Sequence, residues 1–98
     1  MENELHVRVV AMRTAMAVDA LGDKERAIAA FAVMADVEEE TITELYVCGK
    51  ILLKHYNLHS EECHDDVTNH GGVVYPYKTT SDGKIMYKEF WLTPKEEQ

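Results

Sequence analysis

Apolar residues recur at steps of three and four along the first half of the chain, and at steps of two near its end. Leu5, Val9, Met12, Met16 and Ala20 form one stripe over residues 5–21, which predicts an amphipathic helix that Gly22 can close. Asp23 follows with a side-chain oxygen suited to an N-cap, and Ile28, Phe31, Ala32 and Ala35 repeat the spacing over 24–35. A third helix is predicted over 38–56, where Ile42, Leu45, Tyr46, Gly49, Leu52, Leu53 and Tyr56 hold the period for four turns. Just before it, Asp36-Val37-Glu38-Glu39-Glu40 interrupts the apolar pattern and sets carboxylates at the positive end of a helix. Gly49 costs about 1 kcal/mol against Ala inside a helix, so it predicts close packing at that point or a break near Cys48.

The tail changes period. Val73, Tyr75 and Tyr77 alternate, Asp82 and Gly83 supply turn chemistry, and Ile85 to Leu92 alternates again, predicting a hairpin over 73–92 about a two-residue loop. That register sets Tyr75 opposite Phe90, Val73 opposite Leu92 and Val74 opposite Trp91. Pro76 has no N–H and is expected to turn that side to solvent. Residues 57–72 keep neither period and are expected to be irregular. A lone hairpin is barely stable, so the expected fold class is α+β, a three-helix N-terminal part packed with a C-terminal β-hairpin. At 98 residues and 46% hydrophobic content, a single domain over 1–98 with one core is expected.

Charge narrows the function. Ten basic residues stand against 18 acidic ones, for a net −8, and the excess runs through both halves. Such a field repels phosphate backbones and anionic membranes and favours a basic protein surface as partner. Direct nucleic-acid binding and membrane binding are therefore not expected. The first residues, Met1-Glu2-Asn3-Glu4, are acidic where a secretory signal needs a basic region. The longest apolar run, Ala27 to Ala35, has nine residues, far from the ~20 a membrane span needs. Two cysteines, Cys48 and Cys63, make no disulfide framework. Cytoplasmic residence is the expectation.

Residues 27–50 carry Phe31-Ala32-Val33-Met34-Ala35-Asp36-Val37-Glu38-Glu39-Glu40-Thr41-Ile42-Thr43-Glu44-Leu45. The order is an Ala-rich helix, a turn, then Val, three polar residues, Thr-Ile and Leu. This stretch resembles the helix-turn-helix of Cro/repressor-type regulators. The resemblance implies a second helix that enters the major groove, with its first residues on bases and phosphates. The matching positions are Glu38, Glu39, Glu40, Thr43 and Glu44, and the family glycine at the turn is replaced by Asp36. Four carboxylates on the reading face repel DNA. Asp36, Glu38, Glu39, Glu40 and Glu44 are instead candidate partner-binding residues, imitating a line of phosphates before a basic site on a nucleic-acid-handling protein. Small inhibitors made by phages and other mobile elements share this compactness and acidity. A DNA-binding transcriptional regulator is the alternative that the resemblance itself implies.

Histidines and a cysteine gather late in the chain, at His55, His59, Cys63, His64 and His70. Imidazole and thiolate are preferred zinc donors. Were Ser60 to Asn69 helical, His59, Cys63, Asp66 and His70 would share one face, which makes His59, Cys63 and His70 candidate ligands in a small zinc-binding protein. The spacing matches no known finger and no Cys-x-x-Cys anchors it, so no metal and no cofactor are expected. Neither a Gly-rich phosphate loop nor a nucleophile elbow is present, and Cys63 beside His64 is no nucleophile–base pair by adjacency alone. A non-enzymatic protein is expected. Tyr75, Tyr87, Phe90 and Trp91 are candidates for an aromatic face, through which a hairpin edge could build a homodimer.

Overall fold

The computed structural model describes residues 2–64 and 67–96. The three predicted helices are α1 (Glu2–Leu21), α2 (Lys24–Ala35) and α3 (Glu39–His55), followed by three strands, β1 (Tyr56–Cys63), β2 (Val73–Thr79) and β3 (Ile85–Pro94). The fold class is α+β, with N-terminal helices and a C-terminal antiparallel sheet. The chain divides into two compact units. One takes in the chain up to Val9 and from Tyr56 onward; the other is Val10–His55.

In the helical unit the core is Val18, Ala27, Ile28, Ala32 and Ile42, with Phe31, Leu45 and Tyr46 packed against it. The Asp23 carboxylate accepts the Arg26 N–H at 3.2 Å and caps α2 as expected. The predicted stripe on α1 is partly displaced: Met16 and Ala20 are exposed, while Ala11, Ala15 and Val18 are buried. Gly49 explains the shift. A Cβ there would lie 2.1 Å from the Ala11 carbonyl oxygen and 2.8 Å from the Ala15 Cβ, so α3 stays unbroken and crosses α1 at a point where only small residues fit. The Asp19 carboxylate fastens the same two helices, accepting the Tyr46 hydroxyl at 2.8 Å and the Lys50 ammonium at 2.6 Å.

Three corrections concern the sheet. Residues 57–72 are not uniformly irregular, because Tyr56 leaves the helical pattern and opens β1, making a third strand. The sheet order is β1-β3-β2, all antiparallel, so β3 is central and both of its edges are paired. The loop has three residues rather than two. The Thr80 N–H donates to the Lys84 carbonyl at 2.8 Å and the Gly83 N–H to the Thr80 carbonyl at 3.0 Å, enclosing Ser81, Asp82 and Gly83. Only Gly83 takes a positive φ, +86°, as in a type I turn followed by a left-handed residue.

Register moves as well. Val73 faces Phe90, Val74 faces Glu89 and Tyr75 faces Lys88, after a bulge between Pro76 and Lys78. The longer loop shifts the pairing by one residue and the bulge by one more. Two such shifts restore the side of the sheet on which each residue stands. Tyr75 thus keeps its expected face and meets Phe90 diagonally, with ring centroids 5.9 Å apart. Pro76 sits on an edge strand, as its missing N–H requires. On the Tyr75 face the beginning of α1 contributes His6, whose Nδ1 hydrogen-bonds the Tyr75 hydroxyl.

Candidate functional site

The first candidate surface lies around the turn between α2 and α3. Asp36 closes α2 in the left-handed conformation, φ +56° and ψ +49°. The Asp36 N–H donates to the Val33 carbonyl at 3.2 Å and the Val37 N–H to the Ala32 carbonyl at 3.0 Å, the bonds that end a helix on a left-handed residue. This conformation tolerates Asp better than most side chains. The chain then restarts as α3 within three residues, and all five candidate carboxylates, Asp36, Glu38, Glu39, Glu40 and Glu44, are exposed. No ion pair among the described residues joins any of them to a cation.

Large apolar side chains stand beside these acids. Val33 is 82% exposed and Met34 80%, with Val37 exposed in the turn itself. Along α3, Glu40, Glu44, Val47 and Ile51 follow at steps of four, three and four, one outward stripe that is acidic at its start and apolar at its end. Val47 and Ile51 are half exposed and line an open hollow of about 460 Å³ with Thr43 and Leu52. A second hollow of about 450 Å³ between the helices is lined by Ala17, Phe31, Met34, Ile42 and Leu45.

The sheet unit holds a different constellation, centred on Glu89. This carboxylate is 0% exposed, yet it accepts three backbone N–H groups at 2.9 Å, from Asn69 to Oε1 and from His70 and Gly72 to Oε2. Burial pushes the Glu89 carboxyl up, but the three donors and the His70 ring outweigh it and hold the group below the usual glutamate value. Such a group stays ionised in the interior. Glu89 therefore fastens the segment from Asn69 to Gly72 onto the central strand.

His70 rides on that segment with its ring stacked on Trp91, centroids 3.8 Å apart. Its Nδ1 lies 3.6 Å from Glu89 Oε1 and its Nε2 3.5 Å from Glu61 Oε2. His59 stacks on Trp91 as well, at 5.4 Å, and its Nε2 shares a 2.7 Å hydrogen bond with the Thr93 hydroxyl. Cys63 lies on the same face of β1, buried. Burial, then the charges of Glu89 and Glu61, push its thiol up, away from the thiolate that a nucleophile needs.

No family model, curated protein or solved structure matches the chain. The geometry alone therefore carries any reading of the two surfaces. Of the residues marked from sequence, the structure places the five acids together on one exposed turn and helix start. The proposed helical face of His59, Cys63, Asp66 and His70 does not form. His59 and Cys63 stand on a strand and His70 in a segment without regular structure, while Asp66 lies outside the described residues. The four aromatics do not share a face either: Tyr75 and Phe90 stand on one side of the sheet, Tyr87 and Trp91 on the other, because residues on β3 alternate. Glu89 is the residue that sequence reasoning missed. Its one signal is a carboxylate inside an otherwise alternating strand, shared by any solvated strand position.

Proposed function

We propose that the chain is a non-enzymatic protein-binding module of the cytoplasm, whose α2–α3 surface occupies a basic site on a nucleic-acid-handling partner in place of phosphates. The observation that supports this most is the juxtaposition of exposed Val33, Met34 and Val37 with carboxylates that have no ion pair among the described residues. Solubility alone accounts for acids but not for exposed Val and Met next to them. A protein interface uses both, with apolar anchors for affinity and charge for steering and specificity.

Local energetics supply no rival account of the acids. Glu39 and Glu40 in the first turn gain roughly 0.3–1 kcal/mol each from the helix dipole, and repulsion between Glu40 and Glu44 removes a few tenths.

The test is capture from a lysate of the cells that make the protein, with competing duplex DNA added. A phosphate mimic captures nucleic-acid-binding proteins and releases them to the competitor. Captured proteins that do not bind nucleic acid, and that the competitor leaves in place, contradict the mimic. A second reading, a DNA-binding regulator, draws on Asp36, whose left-handed conformation is the one a glycine would adopt at the turn of a helix-turn-helix. Retardation of duplex DNA at low salt separates the two readings.

A further inference from the structure

We propose that Glu61, His70 and Glu89 form a binding site for a divalent transition-metal ion of the zinc class, built on the sheet. One oxygen of each carboxylate and one nitrogen of the imidazole lie within 4.8 Å of one another. Glu89 Oε2 already accepts two N–H groups, from His70 and Gly72, whereas Oε1 accepts only that of Asn69. A carboxylate oxygen has two lone pairs, so Oε1 keeps one, and Oε1 is the atom facing His70.

The His70–carboxylate separations of 3.5 and 3.6 Å exceed the roughly 2.7–3.2 Å of an N–H···O bond. An ion takes only one ring nitrogen. The 3.6 Å between Nδ1 and Glu89 Oε1 is close to the roughly 3.4 Å between donors around a tetrahedral ion with bonds near 2.1 Å, while Glu61 stands beside the other nitrogen and must move to join them. Glu61, whose side chain is 52% exposed, has the freedom to close what remains of the gap. Charge points the same way. The Glu89 side chain is buried, and among the described ion pairs neither carboxylate faces a Lys or Arg. A buried carboxylate calls for a counter-charge, and a divalent ion between Glu61 and Glu89 supplies it. Imidazole beside carboxylates selects zinc-like ions over Mg²⁺ or Ca²⁺, which take oxygen donors.

Trp91 makes the site readable, because it is the only tryptophan in the chain and the His70 ring lies flat on it. The experiment takes the untagged full chain, stripped with a chelator, and titrates it at neutral pH with Zn²⁺ and separately with Co²⁺, following Trp91 emission and the visible absorption of Co²⁺. The expected result is a saturable change at one equivalent, weakened at least ~10-fold by Glu61→Gln and by His70→Ala and unaltered by His55→Ala. Glu61 is exposed, so Glu61→Gln separates loss of a ligand from loss of fold, and circular dichroism verifies folding in each variant. No saturable binding by the parent, or a Glu61→Gln or His70→Ala variant that binds as tightly as the parent, overturns the site.

Discussion

The Gly72 N–H donates to Glu89 Oε2 at 2.9 Å, and a Cβ at Gly72 would lie 2.1 Å from the Phe90 carbonyl oxygen. The backbone of the 69–72 segment thus lies directly on β3 while its N–H groups converge on one buried carboxylate. Gly72→Ala forces that segment off the strand, an overpacking that costs about 1–3 kcal/mol. Glu89→Leu leaves three N–H donors without their acceptor, at about 1–3 kcal/mol for each that water does not reach. Thermal melts of both variants check the arrangement, with Glu89→Leu expected to lose more. A Gly72→Ala protein that melts with the parent would show that the segment does not lie against β3.

Gly49 sets two effects against each other. Ala is better than Gly by about 1 kcal/mol in a helix interior, so Gly49→Ala gains stability if α3 has room. The Cβ would instead meet the Ala11 carbonyl oxygen at 2.1 Å, and backbone cannot swing aside as a side chain can. Net destabilisation of about 1–2 kcal/mol is expected, since the overpacking cost exceeds the helix gain. Urea unfolding checks the sign, and a stabilised variant would remove the close crossing of α1 and α3.

Asp19 gives a pH dependence. The Lys50 ammonium and the Tyr46 hydroxyl hold its carboxyl below the ordinary value. A carboxyl depressed in the folded state adds stability at pH values above its unfolded pKa, about 3.9, and loses that contribution as pH falls through the folded pKa. Parent and Asp19→Asn proteins should differ in melting temperature at pH 7 and converge as pH falls below the ordinary carboxylate value. The group is exposed, so the difference at pH 7 is small. A gap that widens on acidification would contradict the assignment.

The helices were legible because their apolar spacing, Gly22 and the Asp23 cap agree with one another. β1 was not, because one of its faces carries Asn57, His59, Glu61 and Cys63 and the other Tyr56, Leu58, Ser60 and Glu62, so no apolar alternation marks it. Its place beside β3 comes from pairing across more than twenty residues, which local pattern cannot show. The acidic turn was visible as a run of carboxylates, but the exposure of Val33 and Met34 beside it was not. Both stand off the stripe of Ile28, Phe31, Ala32 and Ala35. Within a nine-residue apolar run, however, local pattern does not show whether another element covers them, and only the packing of Ala32 and Ile28 inward leaves them exposed. The Glu89 cluster was illegible for a related reason, since its three donors are backbone groups of a segment that has no sequence signature.

The most direct measurement compares capture by the parent with capture by Glu38→Gln, Glu39→Gln, Glu40→Gln and Glu44→Gln combined in one chain, over a range of salt. All four side chains are exposed and without ion pairs among the described residues, so the variant should fold and melt close to the parent. It should nevertheless capture its basic partner at least ~10-fold less well at low salt, and that capture should be nearly flat with salt where the parent's falls steeply. A folded quadruple variant that captures the partner as well as the parent, or a parent that itself retards duplex DNA, would contradict the account.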